Sequence, residues 1–90
     1  MPDEQTKIMV LDRGFVIVGK VRMDELAYHW RISPGRTIRV WGTKNGLTEL
    51  CAGPRKETVL DPIAHESVPF RAVLRIIDAS EDGWRKTLQE

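Results

Sequence analysis

The 90-residue chain carries 14 Lys and Arg against 13 Asp and Glu, a formal net charge of +1, with 41% hydrophobic residues and one cysteine. That size gives one domain with one modest core, and the composition is that of a globular chain rather than a disordered one. One cysteine excludes an internal disulfide, His29 and His65 lack metal-ligand spacing, and no apolar run matches a membrane span or signal peptide, so a cytoplasmic protein without metal or cofactor is expected.

Residues 1–6 are polar and expected to fray, leaving 7–90 as a single β-rich domain. Residues 7–12 (KIMVLD) and 15–22 (FVIVGKVR) read as strands joined by Asp12-Arg13-Gly14, whose glycine can take the positive φ of a hairpin turn. On the second strand Phe15, Ile17, Gly19 and Val21 share the face expected to point inward. After a polar connection at 23–27, ring and apolar residues alternate with polar ones over 28–33 (YHWRIS). Pro34-Gly35 is the pair favoured at the centre of a type II turn, and 37–42 (TIRVWG) is again extended, so a second hairpin is predicted. With a two-residue loop Tyr28, Trp30, Ile32, Arg39 and Trp41 share one face. A loop one residue longer exchanges the faces, and the sequence leaves that register open.

Leu47, Leu50 and Cys51 recur at helical spacing before Gly53-Pro54, which predicts a short helix over 46–52 with Asn45 as N-cap and Glu49 near its positive end. Residues 58–60 read as a brief strand ended by Asp61-Pro62, and 63–67 (IAHES) as a loop. Over 68–78 (VPFRAVLRIID) both periods fit. The β-branched Val68, Val73, Ile76 and Ile77 favour one strand, with Phe70, Ala72, Leu74 and Ile76 on one face. Residues 80–88 (SEDGWRKTL) predict a last helical turn, capped by Ser80, with Trp84 folded onto the body. The sum is a mainly β fold, a five- to six-stranded antiparallel barrel of SH3-like or Sm-like size closed by the short helix. Exposed edges on so small a barrel invite pairing, so a homo-oligomer is expected.

Charge is unevenly spread. From 27 to 56 six basic residues (Arg31, Arg36, Arg39, Lys44, Arg55, Lys56) face Glu49 alone, whereas both flanks are acidic. Such asymmetry marks either an anion-facing surface or acidic flanks that fold back to neutralise the middle. The candidate binding surface is therefore Arg31, Arg36, Arg39, Trp41, Lys44, Asn45, Arg55 and Lys56. Within it "GTKNG" lacks the GxxxxGK[ST] order that wraps a triphosphate. Free amides at a helix start beside Lys44 and Arg39 still suit one phosphate or carboxylate, although a plain turn with Lys44 in solvent is the preferred reading. Tyr28, Trp30 and Trp41 interleaved with arginines have the composition of a nucleic-acid stacking surface. A chain with few large side chains needs its rings in the core, so Trp30 and Trp41 are assigned to the core or a subunit interface. Trp41 then forms the corner that locks the helix to the barrel. The near-zero net charge also weighs against nucleic acid. Cys51, His65 and Asp61 are the residue types of a nucleophile, base and orienter, but Cys51 falls on the apolar helix face, and no enzyme is expected.

The segment "IRVWGTKNGLTEL" (38–50), with "AGPRKETVLDPIA" (52–64) and "VPFRAVLRIID" (68–78), resembles a group of short hypothetical proteins encoded by bacteriophages and prophages. In these a β-hairpin opens the chain, a Trp-Gly-Thr segment leads to a Gly-Leu-x-x-Leu helix, and an Asp-Pro turn precedes a final strand. The resemblance covers roughly 7–78 and is one of pattern, not of catalytic residues. It implies a phage accessory role in a bacterial host, exerted on a protein partner by regulating or blocking a host system. Nucleic acid or a nucleotide is the alternative partner, bound by the basic region.

Overall fold

The computed structural model describes residues 4–63 and 65–89. Six strands and a C-terminal helix follow in the order β1 (Gln5–Leu11), β2 (Val16–Asp24), β3 (His29–Val40), β4 (Val59–Pro62), β5 (Glu66–Pro69), β6 (Val73–Asp78) and α1 (Glu81–Gln89). Every pairing is antiparallel, in one sheet ordered β4-β3-β2-β1-β6, with β5 beside the other end of β3. The mainly β fold expected from sequence is present as an open sheet; among the described residues no pairing joins β6 to β4 or β5. No helix among them is long and apolar enough to cross a membrane.

The first hairpin forms as its turn chemistry requires. Val10 lies opposite Val16, and Arg13 and Gly14 take φ of 67° and 83° between them. Of the tail 1–6, residues 1–3 lie outside the described residues, but Gln5 and Thr6 already belong to β1, and Thr6 is buried. The inward face of β2 is only half of what is buried. Ile17 and Val21 point to one cluster and Val16 and Val18 to another, whereas Phe15 is exposed. A strand covered on both faces reads as a continuous apolar run, so alternation could not identify a single inner face.

The second hairpin does not form. Residues 29–40 are one strand paired along β2 on one side and with β4 and β5 on the other. Pro34-Gly35 sits inside it at a bulge, where the pairs Gly19↔Gly35 and Val21↔Ile32 leave one extra residue on β3. A Cβ on Gly19 would come within 2.6 Å of the Pro34 carbonyl oxygen, so glycine is what lets the two backbones approach. The extra residue inverts the alternation. Ile32 belongs to one cluster and Ile38, also even-numbered, to the other.

The segment 68–78 is likewise not one strand. Residues Phe70–Ala72 form a 3-10 turn between β5 and β6, and β5 begins inside the segment read as a loop. Leu74 and Ile76 are exposed rather than inward. The short helix exists as a 3-10 segment, Leu47–Ala52, which suits the i, i+3 spacing of its two buried residues, Leu47 and Leu50. The C-terminal turn is a full helix. Its start is capped by Ser80, whose Oγ accepts the Gly83 N–H at 3.0 Å.

The core has two parts. On one face of the sheet Ile8, Val16, Val18 and Ile38 are covered by Leu47, Leu50, Trp84 and Leu88. On the other Met9, Ile17, Val21 and Ile32 form a cluster that Val73 of β6 and Val68 of β5 both pack against. Both edges of the sheet thus meet one cluster, and the sheet curls around it.

Candidate binding surface

The basic junction starts where β3 ends. The Trp41 carbonyl accepts the Thr58 hydroxyl at 2.6 Å, and Gly42 turns the chain at φ +68°. The Gly42 backbone lies so close to Glu57 that a Cβ there would overlap the Glu57 carbonyl carbon. Leu47 and Leu50 then anchor the 3-10 segment in the core. The corner is therefore locked by backbone contact and two leucines. Trp41, assigned to that role from sequence, is 43% exposed.

Asn45 is not the N-cap. Gly46 occupies that position at φ 112°, without a side-chain cap hydrogen bond. The Glu49 carboxylate turns back and accepts the Asn45 N–H at 2.6 Å and the Lys44 N–H at 3.4 Å. Two amides of the loop that enters the 3-10 segment are thus held by a carboxylate of the chain itself. Arg55 also binds this element, with its guanidinium 3.7 Å from the Glu49 carboxylate and donating to the Glu49 carbonyl at 3.3 Å.

Four of the eight candidate residues, Lys44, Asn45, Arg55 and Lys56, line one open cleft of about 790 Å³. Three cations (Lys44, Arg55, Lys56) meet two carboxylates (Glu49, Glu57) there, so the cleft carries little net charge. Among the described residues the Lys44 and Lys56 ammonium groups form no ion pair.

The other candidates are dispersed. Arg39 binds Asp61 through two bonds of 2.9 and 3.2 Å, and that carboxylate raises the guanidinium pKa above its ordinary value. Arg31 lies 2.9 Å from Asp24. The Ala27 amide, then this guanidinium, hold the Asp24 carboxyl below its ordinary value. Arg36 donates to the Thr87 carbonyl at 3.1 Å in the last turn of α1, where unpaired carbonyls favour a cation. Of the two explanations for the uneven charge, acidic flanks folding back accounts for Arg31 and Arg39. The triad types find other partners as well. Asp61 is held by Arg39, and His65 Nδ1 lies 2.6 Å from Ser33 Oγ.

A second surface was not visible in sequence. The β2–β3 turn projects Leu26, 97% exposed, and Tyr28, 71% exposed, with Met23 also exposed. Asp24 fixes this turn by accepting the Ala27 N–H at 3.2 Å, and Tyr28 takes φ 57°. The Phe70 N–H donates to the Tyr28 carbonyl at 2.8 Å, which brings the 3-10 turn after β5 against it. The Phe70 ring meets Tyr28 edge-on at 6.4 Å and Trp30 at 5.7 Å, a geometry that favours aromatic pairs. Tyr28, Pro69, Phe70 and Arg71 line a hollow of about 440 Å³ beside the rings. Its signal in the sequence is the pair Tyr28 and Trp30; the strand periodicity of 68–78 hides Phe70, the third ring.

No protein-family model matches this sequence, and no curated protein matches it.

Proposed function

We propose that the chain is a small, non-enzymatic accessory protein of the phage type. In this reading it binds a protein partner in the bacterial cytoplasm, modulates or inhibits a host defence or regulatory system, and works as a homo-oligomer. The observation that carries the reading is the apolar tip, where Leu26 stands almost wholly in solvent and Tyr28 is largely exposed, on a turn held by Asp24. Large apolar side chains exposed together on one turn of a small domain are suited to a protein interface. The neutralised junction supports the same choice, because Glu49 and Asp61 already occupy donors that a nucleic acid would use. The resemblance to phage-encoded proteins supplies the biological setting. The closed SH3-like or Sm-like barrel belongs to the same proposal, supported by the curl that brings β5 and β6 to one cluster.

Capture from a bacterial lysate by the immobilised chain tests this reading against Leu26→Asp. The reading expects a specific protein that the variant no longer retains. Equal capture by both chains removes the tip as the interface.

The second reading, binding of nucleic acid or a nucleotide, is favoured by Lys44 and Lys56 in one cleft, whose lining begins at Gly42, next in the chain to the exposed Trp41. It predicts oligonucleotide binding that weakens steeply with salt and with Lys44→Ala plus Lys56→Ala. Salt-independent or absent binding removes it.

A further inference from the structure

The two edges of the sheet are unlike. Along β3 the outer edge is made of two short strands, β4 and β5, separated by residues 63–65, and each ends in a proline, Pro62 and Pro69. Prolines, short strands and carboxylates such as Asp61 and Glu66 are the devices that keep an edge from pairing. β6, at the other edge, runs six residues without proline or lysine. Its one mid-strand charge, Arg75, reaches Thr48 Oγ1 at 3.4 Å.

The direction of the free backbone groups on β6 follows from its ladder with β1. The Ala79 N–H donates to the Thr6 carbonyl at 3.1 Å, and the register continues through Lys7↔Asp78, Ile8↔Ile77 and Met9↔Ile76. Hydrogen-bonded and non-bonded pairs alternate in an antiparallel ladder. Ile77 therefore bonds to β1, while the amides and carbonyls of Ile76 and Asp78 point away from it. On this same stretch the Leu74 and Ile76 side chains are 67% and 40% exposed.

We propose that β6 is a self-association edge, pairing antiparallel with β6 of a second copy about a twofold axis at Ile76. This rests on the homo-oligomer reading above and names its interface. In that register each Ile76 exchanges both backbone hydrogen bonds with its counterpart, and Leu74 stands opposite Asp78. The Asp78 carboxylate is already matched by Lys7 at 2.6 Å. The neighbouring registers are worse. An axis at Arg75 sets two guanidiniums opposite each other, and one at Asp78 sets two carboxylates. An axis at Ile77 extends the pairing to Ala79 and Ser80, where the chain has left the sheet for α1.

Light scattering and sedimentation of the full chain test the proposal, using Ile76→Lys, Ile76→Glu and their mixture. The wild type should have twice the monomer mass. Each variant alone should fall to monomer with unchanged circular dichroism, because the side chain at 76 is exposed and the substitution leaves the backbone ladder to β1 intact. Mixing the two should restore the dimer, since lysine and glutamate then face each other across the axis, and salt should weaken it. A dimer that survives Ile76→Lys removes β6 as the interface while leaving self-association standing, and a monomeric wild type overturns both. Variants that stay monomeric when mixed overturn the register.

Discussion

The Asn45 amide donates to the Glu49 carboxylate across 2.6 Å, so the loop that enters the 3-10 segment is tied down by a residue four positions on. Glu49→Ala opens that site. It should cost about 1 kcal/mol in stability, the ordinary net worth of such bonds. It should also create a response to phosphate, with the melting temperature of the variant rising on addition while that of the wild type does not. Thermal melts with and without phosphate at matched ionic strength read both effects. A wild type stabilised as much as the variant would mean that Glu49 does not occupy the anion position.

Trp84 is fully buried and donates its indole N–H to the Leu50 carbonyl at 2.8 Å, so helix and 3-10 segment share one hydrogen bond inside the core. Trp84→Phe keeps much of the apolar volume but removes this bond, leaving the Leu50 carbonyl with the Gly53 N–H at 3.1 Å, a loss of about 1 kcal/mol. Trp84→Ala adds a cavity and should cost about 3–5 kcal/mol. Urea unfolding separates the two. Equal losses would show that the indole hydrogen bond, and not the packing of the ring, holds the helix.

The bulge gives a third expectation. Gly19→Ala drives a Cβ against the Pro34 carbonyl and Gly35, and should destabilise by roughly 1–3 kcal/mol, as overpacking does. Gly14→Ala serves as the contrast, since no neighbouring atom meets a Cβ there, although its φ of +83° carries its own strain. Denaturant midpoints of both variants decide whether close approach at Gly19 matters.

Acid should loosen the contact between α1 and β1. Lys20, 3.2 Å away, and then the Thr6 amide hold the Glu81 carboxyl below its ordinary value. A carboxylate whose folded pKa lies below its unfolded one stabilises the fold fully at neutral pH. That contribution fades as the pH falls through roughly 4 towards the folded value. The group is exposed and screened, so the effect is small. Melting temperature against pH should show a shallower acid limb for Glu81→Gln than for the wild type; identical limbs would remove Glu81 from the account.

Local chemistry was legible where one signal acted alone. Asp12-Arg13-Gly14 gave the first hairpin, Leu47 and Leu50 the buried turn of the 3-10 segment, and Ser80 with Trp84 the last helix. It failed where a tertiary contact outvoted the local signal. Pro34-Gly35 has turn chemistry, yet Gly19 across the ladder accommodates it as a bulge in a continuous strand. Val68 and Val73 are both strand-forming residues, but the intervening Phe70–Ala72 turn carries the chain from one edge of the sheet to the other. The candidate surface dispersed for a related reason. Charge runs along a sequence say nothing of carboxylates that arrive from elsewhere, as Asp61 does at Arg39 and Asp24 at Arg31.

Site-specific photo-crosslinking in bacterial cells distinguishes a protein interface at the tip from a nucleic-acid surface at the junction, with the photoreactive residue placed at Leu26 in one chain and at Lys56 in another. The expected result is a protein adduct from position 26 and none from position 56. A nucleic-acid adduct from position 56, with nothing captured at 26, would contradict it.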